Sequence, residues 1–415
     1  MTLRKRCALA LLLVCILPNV SLGYAVLAHE AIIDAMWDSD IVPALRSRFP
    51  DATALQLREA HAYAYGGSII PDLGYYPFGS VFYSDLTHYA RSGDFVETLI
   101  RDAATLDEFA FALGVMSHYA ADNLGHPIST NHAVPLLYPK LRAQFGDSIT
   151  FEQKKSAHIQ TEFGFDVVQV ARGHYATQAY HDFIGFHVAR ALLERAFRET
   201  YGLDLKSLFL DYDLALGTYR RAVSGVIPKM THVAWEKNKT ALAGIDSAAG
   251  TSRNFEFHIS RADYEAEWGP KYKRPGWFSR FLSFLLRIVP KIGPFKGYAM
   301  RSPTPQTEAL FVQGFNAIVK SYRSQLGDVR AGTIHLPNTD LDTGVPTRPG
   351  EYGLADKTYA KLVDELADAK YATVDAALRR NIVSFYLADP APKSRELTRQ
   401  LEQLKATEFA HAGDR

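Results

Sequence analysis

His118 and Asp122 stand four residues apart, as do His158 and Glu162, and His126 follows Asp122 by the same interval. On a helix such residues share a face, with β-carbons about 6 Å apart. Each pair can therefore close on one ion at ligand distances of roughly 2.0–2.2 Å. His126 lies about 12 Å of helical rise from His118, too far for both imidazoles to hold one tetrahedral ion. Asp122 stands midway and could bridge. His29, Asp72 and His88 supply the same donor types upstream, so five of the fourteen histidines fall into one series. The spacing predicts a cluster of ions, with zinc the metal best suited to imidazole and carboxylate donors. Such a cluster suits hydrolysis of a phosphate ester, because zinc makes water nucleophilic near pH ~7 and neutralises charge growing in the transition state. Asp72 is the candidate for orienting or deprotonating that water. Each histidine alone reads as a hydrogen-bonded core residue, as His61, His174 and His187 do; the ordered series argues for metal.

The first segment bears on the same chemistry. Arg4, Lys5 and Arg6 precede an apolar run from Cys7 to Leu17, Pro18 breaks it, and Ser21-Leu22-Gly23 offers small residues for a peptidase. Residues 1–23 thus read as a signal peptide, too short to span a bilayer comfortably, and predict a secreted or periplasmic protein. A lipoprotein anchor on Cys15 is the lesser reading. Cleavage after Gly23 frees the α-amino group of Tyr24, whose amine and carbonyl could form a five-membered chelate on a metal. Both cysteines, Cys7 and Cys15, depart with the segment, so stability must come from packing and metal without disulfides. The net charge changes from +1 to −2, and no global basic field recruits nucleic acid.

Helices must carry these ligands. Leu106–Ala121, His181–Thr200, Lys206–Val223, Thr304–Leu326 and Ala355–Leu387 show apolar stripes at mixed three and four spacing. Alternating β-branched runs are scarce, and loops are marked by Gly66-Gly67, Pro71, Gly74, Pro77, Pro127 and Pro135. The expectation is an all-α protein: a helical metal-binding catalytic domain over 24–245, a basic insertion over 246–303, and a C-terminal helical extension over 304–415 packed on the core. No acidic residue occurs from Trp268 to Thr307. Within that stretch Ser279, Arg280, Ser283 and Arg287 occupy one arc of roughly 100° on a helix, and Trp277, Phe278 and Phe281 lie on the apolar remainder. Trp277, Phe278, Arg280, Phe281 and Arg287 are therefore candidates for peripheral contact with an anionic membrane surface. An amphipathic core helix has the same periodicity.

At its metal-linked positions the chain resembles the zinc-dependent phospholipase C superfamily, which includes bacterial phospholipases C and single-strand zinc nucleases. Pro71-Asp72 and Ser84-Asp85-Leu86-Thr87-His88 share in the likeness, which covers roughly residues 24–170. The resemblance implies an all-α fold with three zinc ions. Carried over by position, Tyr24 and His29 hold one zinc with Asp122. Asp72, His88, His118 and Asp122 hold the second, and His126, His158 and Glu162 the third. Tyr24 replaces the family's tryptophan, a tolerable change if backbone atoms bind. The compact Asp122-to-His126 spacing, with Ser117–Asp122 and Glu162–Asp166, looks more like the catalytic domain of glycosylphosphatidylinositol-specific phospholipase D; His132 is the alternative ligand. The implied activity is phospholipid hydrolysis, with C or D regiochemistry open because substrate orientation decides which oxygen leaves. Two competing readings are a single-strand nuclease, with Tyr75-Tyr76-Pro77-Phe78 stacking a base, and a non-catalytic zinc-stabilised binding protein.

Overall fold

The computed structural model describes residues 26–171, 174–175, 186–223, 227, 230–231, 300–388 and 394–412. Tyr24, the expected signal peptide and the expected membrane-facing residues Trp277, Phe278, Arg280, Phe281 and Arg287 lie outside the described residues. The fold is all-α. Helices α1 (Val26–Met36), α2 (Val42–Arg48) and α3 (Ala54–Ile69) open the chain, with a π-turn at Trp37–Ile41. A 3-10 turn at Ile70–Tyr75 leads to α4 (Val81–Tyr89), α5 (Ser92–Asp102) and α6 (Leu106–Gly125). Next come α7 (Asn131–Leu137), α8 (Pro139–Phe145) and α9 (Phe151–Ala171), then α10 (Arg190–Tyr201) and α11 (Tyr212–Arg221). After the undescribed stretch follow α12 (Pro305–Ala331), α13 (Gly353–Asp368), α14 (Ala376–Leu387) and α15 (Arg395–Ala412). Strands β1 (Thr339–Asp340) and β2 (Val345–Pro346) pair antiparallel in one short hairpin before α13.

The pair α3 and α6 sets the centre of the molecule. Thr53 caps α3 through a reciprocal box with Gln56, and Thr105 caps α6 by accepting the Glu108 amide at 3.2 Å. Where the helices cross, glycines remove the side chains that would separate them. A β-carbon on Gly67 would stand 2.1 Å from the Phe111 carbonyl oxygen, and one on Gly114 would stand 2.2 Å from that of Ala64. The two backbones therefore touch, which brings the C-terminal turn of α3 against the middle of α6. Helix α12 lies over the same core: Phe311 packs on Phe165 with ring centroids 4.8 Å apart, and the Tyr322 hydroxyl donates to the Leu113 carbonyl at 2.9 Å.

Three helical stretches differ from expectation. The described start of α10 is Arg190; His187 before it lies outside any helix and gives its amide to the Ala62 carbonyl (3.0 Å). Before α11 the chain makes a separate 3-10 turn at Leu205–Leu208, and Asp211 then caps α11 by accepting the Leu214 amide at 2.9 Å. The stretch 355–387 is two helices. Lys370 and Tyr371 adopt positive φ of 53° and 55° between them, Tyr371 anchors its hydroxyl on the Gln400 carbonyl, and Asp375 caps α14. Among the described residues no helix is long and apolar enough to cross a membrane.

Close backbone approach makes the crossing intolerant of even one methyl group. Gly67→Ala and Gly114→Ala should each destabilise the protein by about 1–3 kcal/mol, seen as a lower Tm. Gly217→Ala, on an exposed turn of α11 with nothing within 4 Å of its β-carbon position, should leave Tm unchanged or raise it.

Candidate metal centre

Six elements deliver the predicted ligands to one buried place. His29 comes from α1, Asp72 from the 3-10 turn after α3, His88 from α4, His118 and Asp122 from α6, and His158 and Glu162 from α9. His126 opens a π-turn (His126–Thr130) in which Pro127, lacking an N–H, cannot continue the α6 ladder. All eight side chains are buried. Asp122 sits among four imidazoles: its Oδ1 is 3.4 Å from His29 Nε2, and its Oδ2 is 3.2 Å from His118 Nε2, 3.3 Å from His88 Nε2 and 3.8 Å from His126 Nε2. Asp72 Oδ1 stands 3.4 Å from His88 Nε2. Glu162 Oε1 stands 3.5 Å from His126 Nδ1 and 3.7 Å from His158 Nδ1. Donor atoms converge within 4.8 Å in three groups: His29, His118 and Asp122; Asp72, His88 and His118; His126, His158 and Glu162. His132 is exposed, with its Nδ1 on the Asp147 carbonyl, and belongs to none of them.

These separations test whether zinc fits. Hydrogen-bonded nitrogen and oxygen atoms lie about 2.7–3.2 Å apart. Two donors each about 2.0–2.2 Å from one tetrahedral ion lie roughly 3.3–3.6 Å apart, close to most distances seen here. Orientation gives the same answer. His88 directs Nδ1 at the Ser84 carbonyl (2.7 Å), His118 directs Nδ1 at the Ser68 carbonyl (2.9 Å), and His158 directs Nε2 at the Ile149 carbonyl (2.5 Å). Only an N–H can approach a carbonyl oxygen so closely, so the opposite nitrogen of each ring carries the lone pair that a metal needs. The lone-pair nitrogens of His88 and His118 then face each other at 3.2 Å between two carboxylates. That arrangement requires a cation, and the donor set fits zinc.

In the metal-free chain protons supply the positive charge. His88 is raised well above its usual pKa: burial opposes charging, but the adjacent carboxylates of Asp122 and Asp72 outweigh it. His126 is raised to about 9 by the same balance of burial against Asp122, Glu162 and Asp342. Burial and neighbouring imidazoles instead push His29 down to about 3 and His158 down to about 4. Burial also raises Glu162, neither of whose oxygens accepts a hydrogen bond among the described residues.

Surrounding residues hold the ligands in register. The Ser84 hydroxyl donates to the Pro71 carbonyl at 2.6 Å and accepts the Gly74 amide at 2.9 Å, fixing the turn that carries Asp72. Asp166, one turn beyond Glu162, accepts the Leu27 amide at 3.2 Å and so ties α9 to the start of α1. Tyr75, His88, Tyr89, Asp122, His126, Phe151 and Asp342 line a cleft over the cluster. Asp342 was not foreseen. It belongs to the hairpin tip, and its signal in the sequence is the turn-like Asp340-Leu341-Asp342-Thr343-Gly344, which shares no helical spacing with the histidines.

Metal entry must displace the protons on His88 and His126, and those protons are bound at every pH below about 9 for His126. Zinc affinity should therefore rise from pH 7 toward pH 9, with proton release at pH 7. Calorimetry in buffers of different ionisation enthalpy reads this directly; proton-neutral binding would contradict the assignment.

Residues 28–210 match the family model for zinc dependent phospholipase C. No curated protein and no solved structure matches the chain. The matched segment contains His29, Asp72, His88, His118, Asp122, His126, His158 and Glu162, and the helical fold agrees with it. Residues 28–210 belong to the zinc-dependent phospholipase C superfamily.

Proposed function

We propose that the chain is an exported zinc-dependent phosphodiesterase that hydrolyses phospholipids by attack of water at phosphorus. The observation that carries this reading is the buried Asp122 carboxylate shared among four imidazoles, inside the segment that matches the family. On this reading three ions are held: one by His29 and Asp122 with the amine and carbonyl of Tyr24, one by Asp72, His88, His118 and Asp122, and one by His126, His158 and Glu162. Bound zinc supplies Lewis acidity, making water nucleophilic near neutral pH and offsetting charge that grows on the phosphoryl group.

The protein's own groups do the rest. Asp72 orients the attacking water through its carboxylate and takes its proton. Tyr75 and Phe151 give the cleft an aromatic wall that limits solvent around the reacting phosphate, their rings standing 6.3 Å apart. Asp122, with a pKa held well below the usual carboxylate range by His118 and the other imidazoles against the effect of burial, stays anionic throughout. Either the diacylglycerol oxygen or the headgroup oxygen can depart from such a centre. The short Asp122-to-His126 spacing favours a D-like arrangement.

Export rests on the 1–23 segment, and contact with anionic lipid on the helix around Trp277 and Arg287. The nuclease alternative loses support from the aromatic loop. Tyr76 is buried and packs edge-on against Tyr219 at 5.3 Å, which leaves Phe78 as that loop's exposed ring.

One purification tests the reading. The mature protein should begin at Tyr24, contain zinc, and release diacylglycerol or phosphatidate from mixed phospholipid vesicles; cleavage of single-stranded DNA without lipid turnover would favour the nuclease. Asp72→Asn should lower kcat by about 10²–10⁴-fold. Asp122→Ala should lose both zinc and turnover, and retention of full metal content would refute the shared-ligand assignment.

A further inference from the structure

The hairpin that follows α12 lies outside the family-matched segment, yet its tip reaches the cluster. Its edges are stitched to the core: the Ser92 hydroxyl donates to the Thr339 carbonyl at 2.6 Å, and the Tyr119 hydroxyl donates to the Pro337 carbonyl at 2.8 Å. At the tip the Leu341 amide donates to the His88 carbonyl (3.2 Å), and the Asn131 side chain donates to the Asp342 carbonyl (2.8 Å). Gly344, at φ +72°, closes the turn where a β-carbon would come within 2.5 Å of the Asn123 carbonyl oxygen. The backbone of Asp342 is thus clamped between α4, the end of α6 and α7.

Its side chain is equally constrained. Asp342 is 3% exposed, and its Oδ2 accepts hydrogen bonds from the hydroxyls of Tyr89 (2.9 Å) and Tyr352. Two donors on one oxygen offset the cost of burying the carboxylate. They also turn Oδ1 toward His126, whose Nε2 lies 4.0 Å away. His88, His118 and His158 each give a ring N–H to a backbone carbonyl, and His126 stands among carboxylates. Its Nδ1 faces Glu162, and its Nε2 faces two carboxylates, Asp122 and Asp342. Asp122 Oδ2 is nearer to His88 and His118 (3.3 and 3.2 Å) than to His126 (3.8 Å). Asp342 itself falls in none of the three donor groups.

We propose that Asp342 is a positioning residue of the centre: with zinc bound, its Oδ1 accepts a hydrogen bond from the Nε2–H of His126, which keeps that proton on Nε2 and presents Nδ1 to the ion held with His158 and Glu162. Retention of that ion then depends on a carboxylate from outside the matched segment. Outer carboxylates of this kind fix the tautomer and raise the basicity of a ligating imidazole. The proposal rests on reading the cluster as a zinc centre.

Zinc affinity, measured by competition with a chromophoric chelator, separates the two claims because it needs no turnover. In the full-length protein Asp342→Asn should weaken one ion by about 10–100-fold, leave the other zinc sites unchanged and destabilise the chelator-stripped protein by less than that loss of affinity. The double variant Tyr89→Phe/Tyr352→Phe should weaken the same ion to a smaller extent. Wild-type zinc affinity in Asp342→Asn overturns the proposal, even if lipid turnover falls. So does a loss of affinity matched by an equal fall in Tm of the stripped protein, since that marks a purely structural role. A wild-type protein that binds no zinc removes this proposal and the proposed function together. Normal zinc binding with the Asp342→Asn effect but no phospholipid turnover removes only the proposed function.

Discussion

A carboxylate buried among imidazoles sets the terms for the rest of this molecule. Asp122 is fully buried and lies within 3.8 Å of four histidines carried by α1, α4, α6 and the π-turn. An isolated buried anion is costly, and it persists only where positive charge is arranged around it. Protons on His88 and His126 meet that demand in the metal-free chain, and divalent ions meet it more fully because several donors share one charge centre. Much of the helical scaffold can be understood as holding these ligands in reach of one another without letting water in.

The backbone contributes as much as the side chains. Close packing of α3 on α6 at Gly67 and Gly114 carries the Ser68 carbonyl to His118. The helical turn of α4 brings the Ser84 carbonyl to His88, and the loop before α9 brings the Ile149 carbonyl to His158. Each contact fixes which ring nitrogen faces the centre of the cluster, so the donor atoms are aimed before any ion arrives. Asp166 then links α9 to the first described turn of α1, joining the two ends of the ligand series.

Helical spacing in the sequence was enough to pair His118 with Asp122 and His158 with Glu162, because a period of 3.6 residues leaves few alternatives for residues four apart. It also placed Asp122 midway between His118 and His126, where the structure has it. Distant members such as His29 and Asp72 could be joined to the group only through family likeness, since no local period connects them. The carbonyl partners were illegible, because every residue has a carbonyl and no side chain marks which one will face a ring. Asp342 was illegible for a related reason: its place depends on a hairpin docking across the core. The breaks before Arg190 and around Tyr371 were hidden because they contain apolar residues that also fit a helical stripe, and tertiary hydrogen bonds decided the outcome.

The hairpin has a consequence for the order of assembly. The bond from Tyr89 to Asp342 spans 253 positions of chain, and closing so long a loop costs entropy that early local contacts do not recover. Helices α1 to α9 emerge and can gather their imidazoles long before β1 and β2 exist. A nascent chain therefore passes through an interval in which the hairpin has yet to dock beside His126.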